Sequence, residues 1–159
     1  MINFKTENGI FNFRVAGILL HGDKVLIHRL ISDNFYAFPG GRVEMFESTD
    51  KTIMREMKEE LEVDIEVIRL LWICEHFFTY NENPYHEICF YYLIDCNDEK
   101  LYDKGDAFFI IEGENNFEFK WISISNIDNE SLYPVFIRKR LRNLPTIVER
   151  IIDDQKESC

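Results

Sequence analysis

Gly40-Gly41-Arg42-Val43-Glu44-Met45-Phe46-Glu47-Ser48-Thr49-Asp50-Lys51-Thr52-Ile53-Met54-Arg55-Glu56-Met57-Lys58-Glu59-Glu60-Leu61-Glu62-Val63 is the stretch on which the reading of this chain turns. Ile53, Met54, Met57 and Leu61 recur at spacings of three and four, which predicts an amphipathic helix from Thr49 to Leu61. Ser48, Thr49 and Asp50 offer N-cap oxygens at its start. Just ahead, Pro39-Gly40-Gly41 breaks regular structure, because proline lacks a donor and glycine admits unusual dihedrals, so a functional loop is expected to begin there. On the helix, Glu56, Glu59 and Glu60 fall on neighbouring parts of one face. Carboxylates so close repel one another unless a cation intervenes. A hard divalent ion such as magnesium takes oxygen ligands and shares its shell with waters and substrate phosphates. The plain alternative is a solvated charged face, with Arg55 and Lys58 relieving the repulsion.

The loop in front of the helix tips the balance. Gly41, five residues, Glu47, seven residues, then Arg55-Glu56-Met57-Lys58-Glu59-Glu60 and Val63 together resemble the Nudix box. A chance match of its glycine and charged positions within a chain of this length is on the order of 10⁻⁴ or less. One position departs from the pattern: Glu62 stands where the family has glycine, a residue that accepts the left-handed conformation ending a helix. A glutamate held in that conformation costs about 1–2 kcal/mol.

The resemblance covers roughly residues 14–127. It implies an α/β (α+β) fold, the Nudix-type α/β/α sandwich with a mixed β-sheet. It implies hydrolysis, with Mg²⁺ or Mn²⁺ as cofactor, of a pyrophosphate bond in a nucleoside diphosphate linked to another group, by attack of water on phosphorus. ADP-ribose or a nucleotide sugar is favoured over a nucleoside triphosphate. Metals neutralise the phosphate oxygens in such chemistry while a base takes the proton of water. By motif position, Glu56 and Glu60 are expected as metal ligands, with Glu59 a third and the Gly40 carbonyl completing the shell. Arg55 is expected to orient the cluster, and Glu47 to pair with Arg55 or, alternatively, to act as base. In several family members the base lies in a loop before a Trp-containing strand, which here makes Glu114 or Glu112 the candidate, with a solvated acidic loop as the bland reading. The rival to an enzyme is a Nudix-fold sensor or interaction module, which loss of box carboxylates would favour; here none is lost.

Outward from the box, Arg14–Leu20 and Lys24–Leu30 flank His21-Gly22-Asp23 and predict a β-hairpin. Residues 63–75 and 86–95 predict longer strands around a turn at Tyr80–Tyr85, and 119–124 another strand. Residues 135–152 read as helical with a break at Pro145, followed by a tail from 153 to 159, so that 1–152 makes a single domain. Substrate contacts are expected from Arg14 and Arg29, whose guanidinium forks suit phosphates, from Phe35, Tyr36 and Phe78 by stacking, and from His86. Each has a plain structural alternative as surface charge or core packing. The basic cluster Arg138-Lys139-Arg140 with Arg142 offers a contact for phosphate or another subunit, with a solvated helix face as the plain reading.

Composition narrows the partners. The chain has 159 residues, 46% of them hydrophobic, and 18 Lys plus Arg against 29 Asp plus Glu give a net charge of −11. That charge opposes non-specific nucleic-acid binding. No apolar run approaches the roughly 20 residues that span a bilayer, and the start lacks the order of a signal peptide, so a cytoplasmic protein without membrane contact is expected. The four cysteines include no C-x-x-C pair and the four histidines are scattered, which opposes a zinc site. A homodimer agrees with the family but is not required by the sequence.

Overall fold

The branched, apolar residues around Arg14–Leu20 do form a strand, but one reaching further in both directions than the sequence predicts. The computed structural model describes residues 1–155. Its strands are β1 (Asn3–Thr6), β2 (Gly9–His21), β3 (Lys24–Leu30), β4 (Gly40–Arg42), β5 (Glu66–Tyr80), β6 (Asn83–Asp95), β7 (Ala107–Glu112), β8 (Asn115–Ser123) and β9 (Glu149–Asp154). Helices α1 (Thr49–Leu61), α2 (Glu99–Tyr102) and α3 (Val135–Arg140) and a 3₁₀ turn (Ile124–Asn129) complete the order. The sheet runs β7-β8-β3-β2-β6-β5-β9, with β1 and β4 also paired to β2. It is mixed: β2 lies parallel to β6 and β5 parallel to β9, while the other pairs are antiparallel.

The expected hairpin is present, yet β2 and β3 share only Leu20↔Val25 and His21↔Lys24 before they part. Beyond that point β2 takes β4 and β6 as neighbours, with Ala16 opposite both Gly40 and Tyr91. The loop carrying Gly40 and Gly41 is thereby drawn into the middle of the sheet. Because side chains alternate across a strand, each face buries its own core. Val15 and Leu19 of β2 pack with Ile53, Met57 and Leu61 of α1, and Ala16 and Ile18 pack with Ile127, Ile137 and Leu141 on the other face. Helices therefore cover both faces, as the sandwich requires.

Two expectations need correction. Residues 135–152 are not one broken helix: α3 stops at Arg140, and Glu149–Asp154 is a strand paired with Trp72–Phe77 of β5. The edge of β5 supplies a ladder of backbone partners, and Ile151 joins the core while Ile152 faces out at 58% exposure, an alternation of period two. Asp153 and Asp154 consequently lie in β9 rather than in a tail, and 156–159 lie outside the described residues. Among the described residues, no helix is long and apolar enough to cross a membrane.

Candidate active site

Helix α1 matches its predicted bounds, but its buried stripe is not the predicted one. Met54 is 46% exposed, and Glu60 takes a place in the buried face beside Thr52, Ile53, Met57 and Leu61. Spacing alone permits this, since position 60 follows 53 and 57 by seven and three residues. A carboxylate is thus pressed against the sheet at 7% exposure. Its Oε2 is buried and has no hydrogen-bond partner, and His28 Nδ1, 3.9 Å away, is too far to donate. Burial pushes the Glu60 carboxyl up to about 8; Arg14 opposes the shift, and Glu56, Glu112 and Glu59 reinforce it.

The other box residues are gathered by one arginine. Arg55 donates from Nε to Glu47 Oε1 and from Nη2 to Glu47 Oε2, both at 3.0 Å, and from Nη1 to Glu56 at 2.7 Å and Glu59 at 3.2 Å. It also reaches the Arg42 carbonyl at 3.2 Å, so the loop after β4 is fastened to the helix. This clamp, with Thr52 Oγ1 donating to the same carboxylate at 2.8 Å, holds Glu47 down to about 2. Glu56 goes the other way, raised by burial against the opposing pull of Arg55. Gly41 is needed for close approach: a Cβ there would overlap the Glu56 carboxylate. At the helix end Glu62 adopts φ 58° and ψ 25°, the left-handed conformation expected of the missing glycine, with its N–H bonded to the Lys58 carbonyl at 3.0 Å.

Gly40, Glu56, Glu59, Glu60 and Glu112 line one cleft together with Arg42, Glu44 and Arg55. Among the described residues no group of three His, Cys, Asp or Glu side chains is already arranged to hold an ion, and Arg55 engages both Glu56 and Glu59. The donor set nevertheless fits a hard divalent cation, since the carboxylates of Glu56, Glu59, Glu60 and Glu112 cluster in one cleft with the backbone at Gly40.

Several expected site residues lie elsewhere. Glu114 is exposed on the turn joining β7 to β8, whereas Glu112, the last residue of β7, reaches the cleft. No strand at Ala107–Glu112 was legible from the sequence, so nothing there distinguished the two. Arg29 does not line the cleft. It follows His28 on β3 and so points to the opposite face, where it binds Glu118 at 2.7 Å and the Asp33 carbonyl at 3.2 Å. Tyr36 is buried there, donating to Glu118 at 3.1 Å between Arg29 and Lys120, whose charges lie 5.0 and 4.9 Å from its ring. Phe35 packs edge-on against Tyr80 and Tyr133, and Phe78 stacks on Tyr85. His86 is exposed against Phe77 and Phe11, outside the cleft. Arg14 does not line the cleft either. Its Nη2 donates to the Phe38 carbonyl at 3.2 Å, and its Nε is buried without a partner. His28, which the sequence offered only as a scattered histidine, is 5% exposed beside Glu60.

A family model described as NUDIX domain matches residues 12–143. Among solved structures, the chain is similar to a NUDIX hydrolase from Nitrosomonas europaea, at TM-score 0.63 and 14% identity, covering 95% of this chain and 82% of that one. It is also similar to an ADP-ribose pyrophosphatase from Streptococcus suis, at TM-score 0.57 and 15% identity, covering 89% and 98%. A third likeness is to a UDP-X diphosphatase, at TM-score 0.60 and 16% identity. It covers 88% of this chain, which spans 66% of that protein's length. At these identities the structural likeness speaks for the fold.

Proposed function

The chain belongs to the NUDIX domain family, and from that premise we propose that it hydrolyses the pyrophosphate bond of a nucleoside diphosphate linked to another group. ADP-ribose or a nucleotide sugar is the favoured substrate, ahead of a nucleoside triphosphate. The observation carrying the proposal is the convergence of the Glu56, Glu59, Glu60 and Glu112 carboxylates with Gly40 on one cleft.

Glu56, Glu59, Glu60 and the Gly40 carbonyl would hold Mg²⁺ or Mn²⁺. When bound, such an ion neutralises the bridging and terminal phosphate oxygens that otherwise repel a nucleophile. Arg55 orients Glu56 and Glu59 by its hydrogen bonds and fastens the loop to the helix. Glu112 takes the base role in preference to Glu114, because it shares the cleft with the box carboxylates. Glu47 is a poor base: Arg55 occupies both of its oxygens and holds its proton affinity low. Arg14 supports the cluster through its charge, which acts on both Glu56 and Glu60.

The test is incubation with Mg²⁺ or Mn²⁺ and a panel of ADP-ribose, nucleotide sugars, dinucleoside polyphosphates and nucleoside triphosphates, with both products identified and Glu60→Gln run in parallel. Cleavage at a pyrophosphate bond that Glu60→Gln abolishes without unfolding is the expected result. Ligand-induced stabilisation with no turnover across the panel would instead make the protein a sensor.

A further inference from the structure

His28 and Glu60 present two buried polar atoms that face each other and bond to nothing. Nδ1 of His28 and Oε2 of Glu60 are 3.9 Å apart, and neither has a hydrogen-bond partner. The imidazole is held in place. Its backbone N–H donates to the Ala37 carbonyl at 2.9 Å, and its carbonyl accepts from the Ala37 N–H at 2.8 Å. The ring stacks on Phe117, with centroids 5.6 Å apart and planes at 14°, and leans on Phe119 at 5.1 Å. The Glu60 side chain projects from the last turn of α1 and reaches the cleft. A closure of about 1 Å brings the pair to hydrogen-bond distance.

We propose that His28 is a positioning residue for Glu60: its Nδ1–H donates to Oε2 and so presents the other carboxylate oxygen to the cleft. This rests on the reading of Glu60 as a metal ligand. A ligating carboxylate is held in orientation by a hydrogen bond to the oxygen that the ion does not take, and such partners are worth roughly 10–100-fold in metal affinity. His28 touches neither ion nor substrate in this role. Arg14 also has a buried, orphaned donor in its Nε, but its interaction with Glu60 is through charge rather than an ion pair.

The experiment measures Mn²⁺ affinity by the electron paramagnetic resonance signal of the free ion, on wild type, Glu60→Gln, His28→Phe and His28→Asn, with thermal midpoints beside it. Phenylalanine fills the space between Phe117 and Phe119 but donates nothing, whereas the asparagine amide reaches the place of Nδ1. Affinity 10–100-fold weaker in His28→Phe, regained to within a few-fold in His28→Asn, with both variants folded, is the expected result. Equal affinity in His28→Phe and wild type, or no recovery in His28→Asn, overturns the proposal. Should His28→Phe fail to fold, ¹⁵N shifts of the wild-type imidazole decide: a proton on Nδ1 in the metal-loaded protein supports the role, and its absence there refutes it. Strong ¹⁴N coupling in the Mn²⁺ spin-echo spectrum would put His28 on the ion itself and also refute it. Wild type that binds no Mn²⁺, or Glu60→Gln that binds as well as wild type, overturns the metal reading and the proposal with it.

Discussion

Arg55 grips Glu47 with two parallel hydrogen bonds, Nε to Oε1 and Nη2 to Oε2, each 3.0 Å long. The fork matches the carboxylate, and the same guanidinium continues to Glu56, Glu59 and the Arg42 carbonyl. The box is thus one connected unit in which the loop cannot move without the helix.

That grip has a pH dependence of known sign. Arg55 holds Glu47 down to about 2 from an ordinary 4.5, so the clamp stabilises the fold above the unfolded-chain value and is lost as pH falls through the folded one. Glu47→Gln is expected to lower the thermal midpoint at neutral pH, with the gap to wild type closing between about 4.5 and 2. Thermal melts of both proteins across that range check it; a gap independent of pH would mean that the clamp contributes nothing electrostatic.

Gly41 is placed against the Glu56 carboxylate so closely that a methyl group displaces it. The displaced atoms are the far end of a flexible side chain, so Gly41→Ala should fold with a midpoint near that of wild type. Its Mg²⁺ affinity, measured by calorimetry, should fall about 10-fold or more as Glu56 is turned away. Unchanged affinity would remove Glu56 from the ligand set.

Glu62 carries a left-handed backbone at φ 58° without the glycine that tolerates it. Glu62→Gly relieves a penalty of about 1–2 kcal/mol, offset in part by the greater freedom of glycine in the unfolded chain. A higher denaturant midpoint at unchanged slope is the expected outcome. An equal or lower midpoint would show that glutamate is at ease there.

Glu112 and Glu114 are separated by a single glycine, yet only Glu112 lines the cleft. With the favoured substrate, Glu112→Gln should reduce kcat by about 10²–10⁴-fold, the range for loss of a general base, and Glu114→Gln should leave it near wild type. The reverse pattern would place the base on the β7–β8 turn.

The box helix was legible because its determinants are local. Period, cap residues and the string from Gly41 to Val63 place Thr49–Leu61 and its carboxylates without any knowledge of the rest of the chain. The same local pattern could not say which side of the helix meets the sheet. Met54 falls in the apolar stripe and Glu60 beside it, and only docking against β2 and β4 turned the first outward and pressed the second in.

Beyond the box, distance along the chain is what hid the answer. β9 has no periodic signal strong enough to displace a helical reading, and it is a strand because the edge of β5, more than 70 residues earlier, offers it a ladder. His28 looked like a scattered histidine until β3 brought it to within 3.9 Å of Glu60, and Arg29, its neighbour, was sent to the other face by the same alternation. By itself the sequence determined which functional groups the box carries and the chemistry they suit, since side-chain identity and helical spacing are properties of a short segment. Which of them is buried, which partner faces it and which acid of the Glu112-Gly113-Glu114 run reaches the cleft were decided by the tertiary structure alone, because burial and apposition come from strands paired across long stretches of chain.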